Sequence, residues 1–140
     1  EMKTLYIHAS KFSYRVRERV KIPTVEEARE GDAGEFENTL VTFVTVERGD
    51  LERLDNMREA MGRDMEEVLG RIKADSVVLY PYSHLSSKLS RADHAVKVLA
   101  AMHEELDSRG IRVHKAPFGW YKAFDLSCLG HPLSELSRAF

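Results

Sequence analysis

The segment Thr39–Val46 (TLVTFVTV) constrains the fold of this chain most, because every residue in it is apolar or β-branched. A strand with one face in water alternates polar and apolar residues, whereas a strand covered on both faces does not. The segment therefore predicts a central strand that lies between two other layers of the fold. A chain of 140 residues is long enough to bury a core of this kind in one domain.

Two stretches of apolar residues at helical spacing predict amphipathic helices beside that strand. The first begins at an expected N-cap, Asn56, and the second begins at another, Ser90, and ends at Gly110. Glu47–Asp55 is interpreted as a loop or an early helical turn. The residues expected to face the core are Met57, Met61, Met65, Val68, Leu69 and Ile72 in the first helix, and Ala92, Ala95, Val96, Leu99, Met102 and Leu106 in the second.

Other segments complete an α/β pattern. Alternation of apolar and polar residues predicts separate strands at Lys3–Ala9 and Phe12–Val20, and the acidic stretch Thr24–Glu37 is interpreted as a loop. Further strands are predicted at Ser76–Tyr80, which Pro81 ends, and at Ile111–Lys115, while Pro132–Arg138 is predicted to begin a third helix. The expected order is β-β-loop-β-α-β-α-β-β-α, an α/β fold with a mixed β-sheet covered by helices.

Composition excludes several classes of protein. The net charge of −2 argues against coating nucleic acid through an overall positive field, and no run approaches the length of a membrane span. A single cysteine, Cys128, forms no internal disulfide and fits a reducing compartment, so the cytoplasm is expected. Five basic residues nevertheless cluster on one short segment. They suggest either a local basic face or a solvated strand edge: Lys11, Arg15, Arg17, Arg19 and Lys21.

A histidine follows the predicted strand Ser76–Tyr80, in the run Pro81-Tyr82-Ser83-His84. Ligands of α/β sheets bind beyond the carboxyl ends of central strands, so this turn is the first place to expect a site. His84 is a candidate general acid or base, or a donor that orients a ligand. A structural hydrogen bond to a loop carbonyl would explain the same residue.

The run Ala116–Arg138 concentrates the chemically useful side chains, including the only tryptophan. Aromatic residues alternate around Lys122 between two Gly/Pro turns, which predicts a strand with one face on the core and a reactive face towards a cleft. An edge strand with a lysine that extends to solvent is the alternative. Cys128 and His131 have the spacing of half a metal site, but the other half is missing. No metal or cofactor is therefore expected, and Cys128 is interpreted as structural.

Two long segments carry a resemblance to a known family. They are YPYSHLSS at Tyr80–Ser87 and KAPFGWYKAFDLSCLGHPLSELSR at Lys115–Arg138, and MKTLYIHAS and LVTFVTVE follow that family's order too. The chain resembles the amino-terminal editing domain of archaeal threonyl-tRNA synthetases over nearly its whole length. It contains no HxxxH motif of the kind that marks the bacterial editing module.

The resemblance implies a fold similar to that of D-aminoacyl-tRNA deacylases, a homodimer, and hydrolysis of serine from tRNA for threonine. The implied partners are the 3′ acceptor end of that tRNA and a threonyl-tRNA synthetase catalytic domain or subunit. Residues 2–140 are expected to form one editing domain, either excised or free-standing, with Glu1 as a cloning remnant. Two other functions stay open: hydrolysis of D-aminoacyl-tRNA, and a module that binds the acceptor end without catalysis.

The resemblance also implies roles for particular residues. Lys122 matches the active-site lysine, which stabilises negative charge or orients the substrate, and His84 matches the active-site histidine, which holds the terminal adenosine or a water. Tyr121 and Glu135 match positions that bind the seryl amino group. Ser83 departs from a smaller alanine. The other residues expected to contact the substrate, by aromatic stacking on adenine or through the turns that contain them, are Pro81, Tyr82, Phe118 and Trp120.

Overall fold

The computed structural model describes residues 1–140, and its elements confirm an α/β fold with a mixed sheet covered by helices. A short 3-10 turn at Asp50–Arg53 precedes α1. The elements in chain order are β1 (Lys3–Arg19), β2 (Ala33–Thr45), α1 (Leu54–Ile72), β3 (Ser76–Pro81), α2 (Ala92–Ser108), β4 (Val113–Lys115), β5 (Trp120–Cys128) and β6 (Glu135–Ala139).

The strands form one sheet in the order β4-β3-β2-β1-β5, and β6 also pairs with β1. β3 runs parallel to β2 and β4, whereas β1 is antiparallel to β2, β5 and β6. The predicted central strand is confirmed, because β2 is buried on both faces. Leu40 and Val44 pack against the helices, whereas Val41 and Phe43 belong to a second core on the opposite face.

The prediction of two strands before residue 20 is wrong, because β1 is one continuous strand with a change of phase at Ser10. Before Ser10, Tyr6 faces the helices, whereas after it Phe12 and Tyr14 face the other core. The ladder to β5 shifts register between Ala9 and Lys11, and Asn38, at the same level on β2, has a left-handed φ of 45°. A bulge of this kind bends and twists a strand.

The bend folds the far half of the β1–β2 hairpin back over the sheet. Thr39 pairs with Ser76, the first residue of β3, so a flat sheet would leave Phe12, which pairs with Phe36, beyond that end of β3. The ring centroid of Phe12 instead lies 5.8 Å from that of Tyr80, near the other end of β3. We call residues 11–19, 33–37 and 120–128 the outer layer, since they cover the sheet face opposite the helices.

α1 and α2 cover the first sheet face. Met57, Met61 and Met65 of α1 are buried among residues of β2, β3 and α2, which confirms the predicted core face. The expected N-cap at Asn56 is wrong, because α1 begins at Leu54 without a side-chain cap. Ser90 does not cap α2 either, since its hydroxyl donates to the carbonyl of Arg91.

The predicted end of α2 at Gly110 is confirmed by the backbone. Gly110 has a left-handed φ of 77°. Its amide donates to the Asp107 carbonyl at 3.0 Å, and the Ile111 amide donates to the Leu106 carbonyl at 3.1 Å. These two bonds form a Schellman motif, which is the usual role of a glycine at this position.

Two other local predictions are wrong. Pro132–Arg138 does not form a helix; its second half belongs to β6, where Leu136 pairs with Tyr6 of β1. The last part of the stretch Thr24–Glu37 is not loop, because β2 already begins at Ala33. Neither helix combines the length and the apolar character that crossing a membrane requires.

Candidate active site

A concave pocket of about 700 Å³ opens where β3 ends, which is the place that the sequence predicted. Its volume lies within the range of small-molecule sites. One wall is the end of β3 with residues 81–84, a second is the first half of α2, and the third is the start of β5 with Val20 and Ile22 after β1. The pocket brings together Pro81, Tyr82, Ser83, His84, Phe118, Trp120, Tyr121 and Lys122.

Lys122 enters the pocket from the inner face of the outer layer. Its Nζ donates to the carbonyls of Pro117 at 2.8 Å and of Trp120 at 2.9 Å. The same nitrogen lies 5.1 Å from the centroid of the Tyr80 ring. A protonated lysine has three N–H donors, so the two carbonyls leave one donor for a ligand.

Burial lowers the pKa of Lys122 to about 8. Glu26 opposes this shift through its negative charge, and Lys115 adds to it through its positive charge. The amine therefore stays mostly charged at neutral pH, yet it titrates within a range that an assay can reach. The sequence predicted that this strand has one face on the core and the opposite face towards the cleft. In the structure, Lys122 and Phe124 lie on the same face of β5, and Phe124 packs on Tyr80. One face of β5 therefore contributes to both the core and the cleft.

Glu26 fixes the turn that carries the Lys122 acceptors. Its carboxylate accepts from Lys115 Nζ and from the Phe118 amide at 2.9 Å. Its backbone bonds to Phe118 and, through its carbonyl, to the Trp120 indole N–H at 2.9 Å. Sequence reasoning missed Glu26, because it is separated from Phe118 by 92 residues and lies in an acidic run that resembles a solvated loop.

Gly119 allows the Val25–Glu26 segment to approach this turn. Its φ of 91° lies in the left-handed region, where other residues are strained. A Cβ at this position would lie 2.5 Å from Cγ1 of Val25. Both the backbone conformation and the close contact therefore require glycine here.

The opposite wall is formed by the turn after β3. His84 and Ser83 are exposed, and the ring of His84 lies edge-on to Tyr82 with centroids 5.0 Å apart. Neither histidine nitrogen has a hydrogen-bond partner in the chain, so the structural bond to a loop carbonyl considered from the sequence is absent. The Ser83 and His84 amides have no acceptor either, whereas the Tyr82 amide donates to Val44.

The aromatic residues differ in how much of each ring is free. Phe118 packs partly against the helix-side core, and Trp120 against the other core, with its N–H taken by Glu26. Tyr82 packs on Phe43 with centroids 4.9 Å apart. Tyr121 is 60% exposed and stands at the rim. A nucleotide base can therefore stack on Tyr121 at the rim, whereas the rings deeper in the pocket already pack against other side chains.

Glu135 is not part of this pocket. It is exposed on β6, where it pairs with Ile7 of β1. The pocket of one chain therefore contains every substrate-contacting residue predicted from the sequence except Glu135. The sequence did not indicate the apolar residues that α2 and the end of β1 contribute, namely Ala92, Ala95, Leu99, Val20 and Ile22.

Fold and site together define a class: an α/β domain with a largely apolar pocket whose polar groups include a half-buried lysine, an unpaired histidine and free backbone amides. The model of the archaea-specific editing domain of threonyl-tRNA synthetase matches residues 2–140. The chain belongs to this family of aminoacyl-tRNA editing domains.

Curated relatives agree with this family. The chain is 52% identical over 134 residues to a threonine–tRNA ligase editing subunit of Saccharolobus solfataricus, a match that covers 96% of this chain and 33% of the relative. It is 48% identical to a threonine–tRNA ligase of Thermofilum pendens and 47% identical to one of Methanopyrus kandleri. Each of these matches covers 98% of this chain and 22% of the relative. The chain thus spans a third or less of the length of these relatives.

Proposed function

We propose that residues 2–140 act as an editing domain that hydrolyses L-serine from tRNA for threonine and spares threonyl-tRNA. The observation that carries the proposal is the position of Lys122, which faces a pocket large enough for an aminoacylated nucleotide with one N–H donor left over. Membership of the editing-domain family supports the reaction class. The cytoplasm is the expected location.

The proposed reaction is attack of water on the carbonyl carbon of the ester. Lys122 donates its third N–H to the oxygen that becomes negative, and a ribose hydroxyl of the tRNA assists removal of the proton from water. The ester C–O bond then breaks, and the ribose oxygen leaves with a proton, giving free serine and tRNA. His84 and the amides of Ser83 and His84 hold the terminal adenosine or the attacking water.

Selection against threonine is needed because serine and threonine differ by one methyl group. A synthetic site that recognises this methyl gains only about 1–3 kcal/mol, which is a discrimination of roughly tenfold to two-hundredfold. A second pocket that excludes the larger amino acid multiplies this ratio. We propose that the threonine methyl is rejected by a clash with the pocket wall or by displacement of the attacking water.

A homodimer is proposed for two reasons. β5 pairs with β1 only, which leaves one edge of the sheet open, and that strand and its end expose Tyr121, Phe124 and Leu129. Glu135, the residue proposed to bind the seryl amino group, lies outside the pocket of its own chain. A second copy on the open edge can bring its Glu135 towards this pocket. The further proposed partner is a threonyl-tRNA synthetase catalytic domain or subunit.

The test is release of labelled amino acid from seryl- and threonyl-tRNA for threonine, measured side by side with purified protein in a chelating buffer. We expect rapid loss of serine and retention of threonine. Tight binding of tRNA with loss of neither amino acid would instead identify a module that binds the acceptor end. Loss of D-seryl but not L-seryl esters would identify a D-aminoacyl-tRNA deacylase. Loss of both serine and threonine would refute the proposed selectivity.

A further inference from the structure

Four basic side chains at the end of β1 have no acidic partner. They are Arg15, Arg17, Arg19 and Lys21, which we call the basic stripe, and none of them lies within 4.0 Å of a carboxylate oxygen. All four are exposed, and the only hydrogen bond that a stripe side chain makes is from Arg15 to the Gly31 carbonyl. Exposed arginines on the helices behave differently, since Arg63 and Arg71 each pair with a glutamate one turn away.

The neighbours of the stripe compensate its charge only in part. Arg15 lies between Ala33 of β2 and Ala123 of β5, both small and neutral. Lys11, further back on the same strand, lies opposite Glu37 and is therefore not counted in the stripe. Glu18 lies between Arg17 and Arg19 in the sequence, but it is exposed and makes no ion pair with any of the four stripe residues. The next acidic residue beside the stripe is Asp32, whose carbonyl accepts from the Val16 amide and whose carboxylate accepts from the Arg29 amide.

The stripe borders the pocket. Val16 and Tyr14 point into the core of the outer layer, so Arg15 and Arg17 point outwards. Arg19 pairs with Trp120, and the Val20 amide donates to the Gly119 carbonyl at 2.9 Å. Val20 and Ile22 line the pocket, while Lys21 between them is exposed. The same segment thus forms a wall of the pocket on one side and a basic surface on the other.

We propose that the basic stripe binds the phosphodiester backbone of the acceptor strand whose 3′ end occupies the pocket. This inference rests on the proposed function and specifies where the RNA lies. Unpaired arginines and lysines neutralise phosphates without reading sequence, and they make affinity depend on salt. The ladder to β5 shifts register between Val16 and Arg19, so the four exposed charges continue along one segment towards the pocket without strict alternation.

The test compares two substrates that differ only in phosphates. Seryl-tRNA for threonine carries the acceptor strand, whereas 3′-O-seryl-adenosine has the same reacting ester and no phosphate. The variant is Arg17→Gln/Arg19→Gln, since neither side chain makes a hydrogen bond. The control is Arg63→Gln/Arg71→Gln on the exposed face of α1, which removes the same charge from the opposite side of the molecule.

We expect the stripe variant to lose about tenfold in kcat/KM on seryl-tRNA and to act normally on seryl-adenosine. The slope of log affinity against log salt should fall by about 1.5 for two lost phosphate contacts. The control variant should match the parent on both substrates. Equal loss on both substrates, or no loss on seryl-tRNA, would overturn the proposal.

A failure of the proposed function would look different. In that case the unmodified protein would leave both esters intact, and the stripe would be tested by binding of uncharged tRNA to the same two variants. Weaker, less salt-dependent binding by the stripe variant alone would still support it. Equal binding by the parent and both variants would overturn it.

Discussion

At the residue scale, Lys122 holds a positive charge with carbonyl oxygens rather than a carboxylate. The carbonyls of Pro117 and Trp120 fix the position of Nζ without neutralising it. Burial outweighs the attraction of Glu26, which is why the pKa falls to about 8. The result is an amine that can stabilise a developing negative charge and that loses this ability at moderately alkaline pH.

The first prediction concerns the pH dependence of kcat/KM for seryl-tRNA. Because only the protonated amine stabilises the oxyanion, enzymatic hydrolysis should decline as pH rises through about 8, after subtraction of the uncatalysed rate. The Lys122→Met variant should lose about 100-fold or more in rate and show no such decline. A parent profile that stays flat to pH 10 would contradict the assignment.

The same shift has a consequence for stability, and its sign follows from proton binding. The pKa of Lys122 in the folded protein lies below the ordinary lysine value of 10.5, so between about 8 and 10.5 the unfolded chain binds more protons. The contribution of Lys122 to the free energy of unfolding therefore rises with pH across this window.

The second prediction concerns Glu26→Gln. Removal of the negative charge that raises the pKa of Lys122 should move the alkaline decline to lower pH, while the amide can still accept from Phe118. The matched control is Glu27→Gln, since Glu27 is exposed and has no lysine or arginine nitrogen within 4.0 Å of its carboxylate. A purely structural role for Glu26 would lower activity at every pH and leave the decline at its original position.

At the scale of elements, a chain of hydrogen bonds joins the bend of the sheet to the segment that precedes β6. His8 is buried, and its Nδ1 and Nε2 lie 2.7 Å from His131 Nε2 and from Asn38 Oδ1. The Leu133 amide donates to His131 Nδ1, so His131 must donate from Nε2 and His8 must donate to Asn38. The histidine that resembled half a metal site thus completes a hydrogen-bonded chain before β6.

The third prediction is that His131→Ala destabilises the fold. The substitution leaves Nδ1 of His8 buried without a donor, which should cost about 1–3 kcal/mol in the free energy of unfolding, measured by urea denaturation. His103→Ala is the control, because His103 is half-buried on α2 without a side-chain hydrogen bond. Equal effects of the two substitutions would show that the chain of hydrogen bonds contributes nothing.

Elements with strong local patterns could be predicted, and those formed by distant pairing could not. The methionine face of α1 and the apolar run of β2 depend on periodicity, which the sequence displays directly. The end of the chain has Leu133 and Leu136 at helical spacing, but pairing of Leu136 with Tyr6 makes it a strand. The change of phase at Ser10 looked like a gap between two strands because a bulge also interrupts alternation.

The residues of the site fall into the same two groups, those with a local sequence signal and those without one. Lys122 and His84 lie in segments rich in rare residues, so both could be assigned to one site before any geometry was known. Glu26 and the apolar wall from α2 carry no local signal, since their roles arise only when the outer layer folds over the sheet. Tertiary contacts of this kind have no counterpart in spacing or composition.

At the scale of the whole molecule, the fourth prediction concerns assembly. Sedimentation velocity on residues 1–140 should give a mass of about 32 kDa, twice the 16.0 kDa of one chain. Leu129→Glu, at the end of the open-edge strand β5, should shift the protein towards monomers. Ala60→Glu is the control, because Ala60 is exposed on α1, which covers the other face of the sheet. A monomeric parent would contradict the proposed dimer.

Because the β1–β2 hairpin folds back at Ser10 and Asn38, the pocket walls that carry Lys122 and His84 belong to two different layers. Lys122 belongs to the outer layer and His84 to the turn after β3 in the sheet beneath. The gap between them is therefore set by how rigidly Phe12, Phe124 and Tyr80 hold the layers together. Under the proposed selectivity, in which one methyl group decides between substrates, the stiffness of this aromatic stack would limit the accuracy of editing.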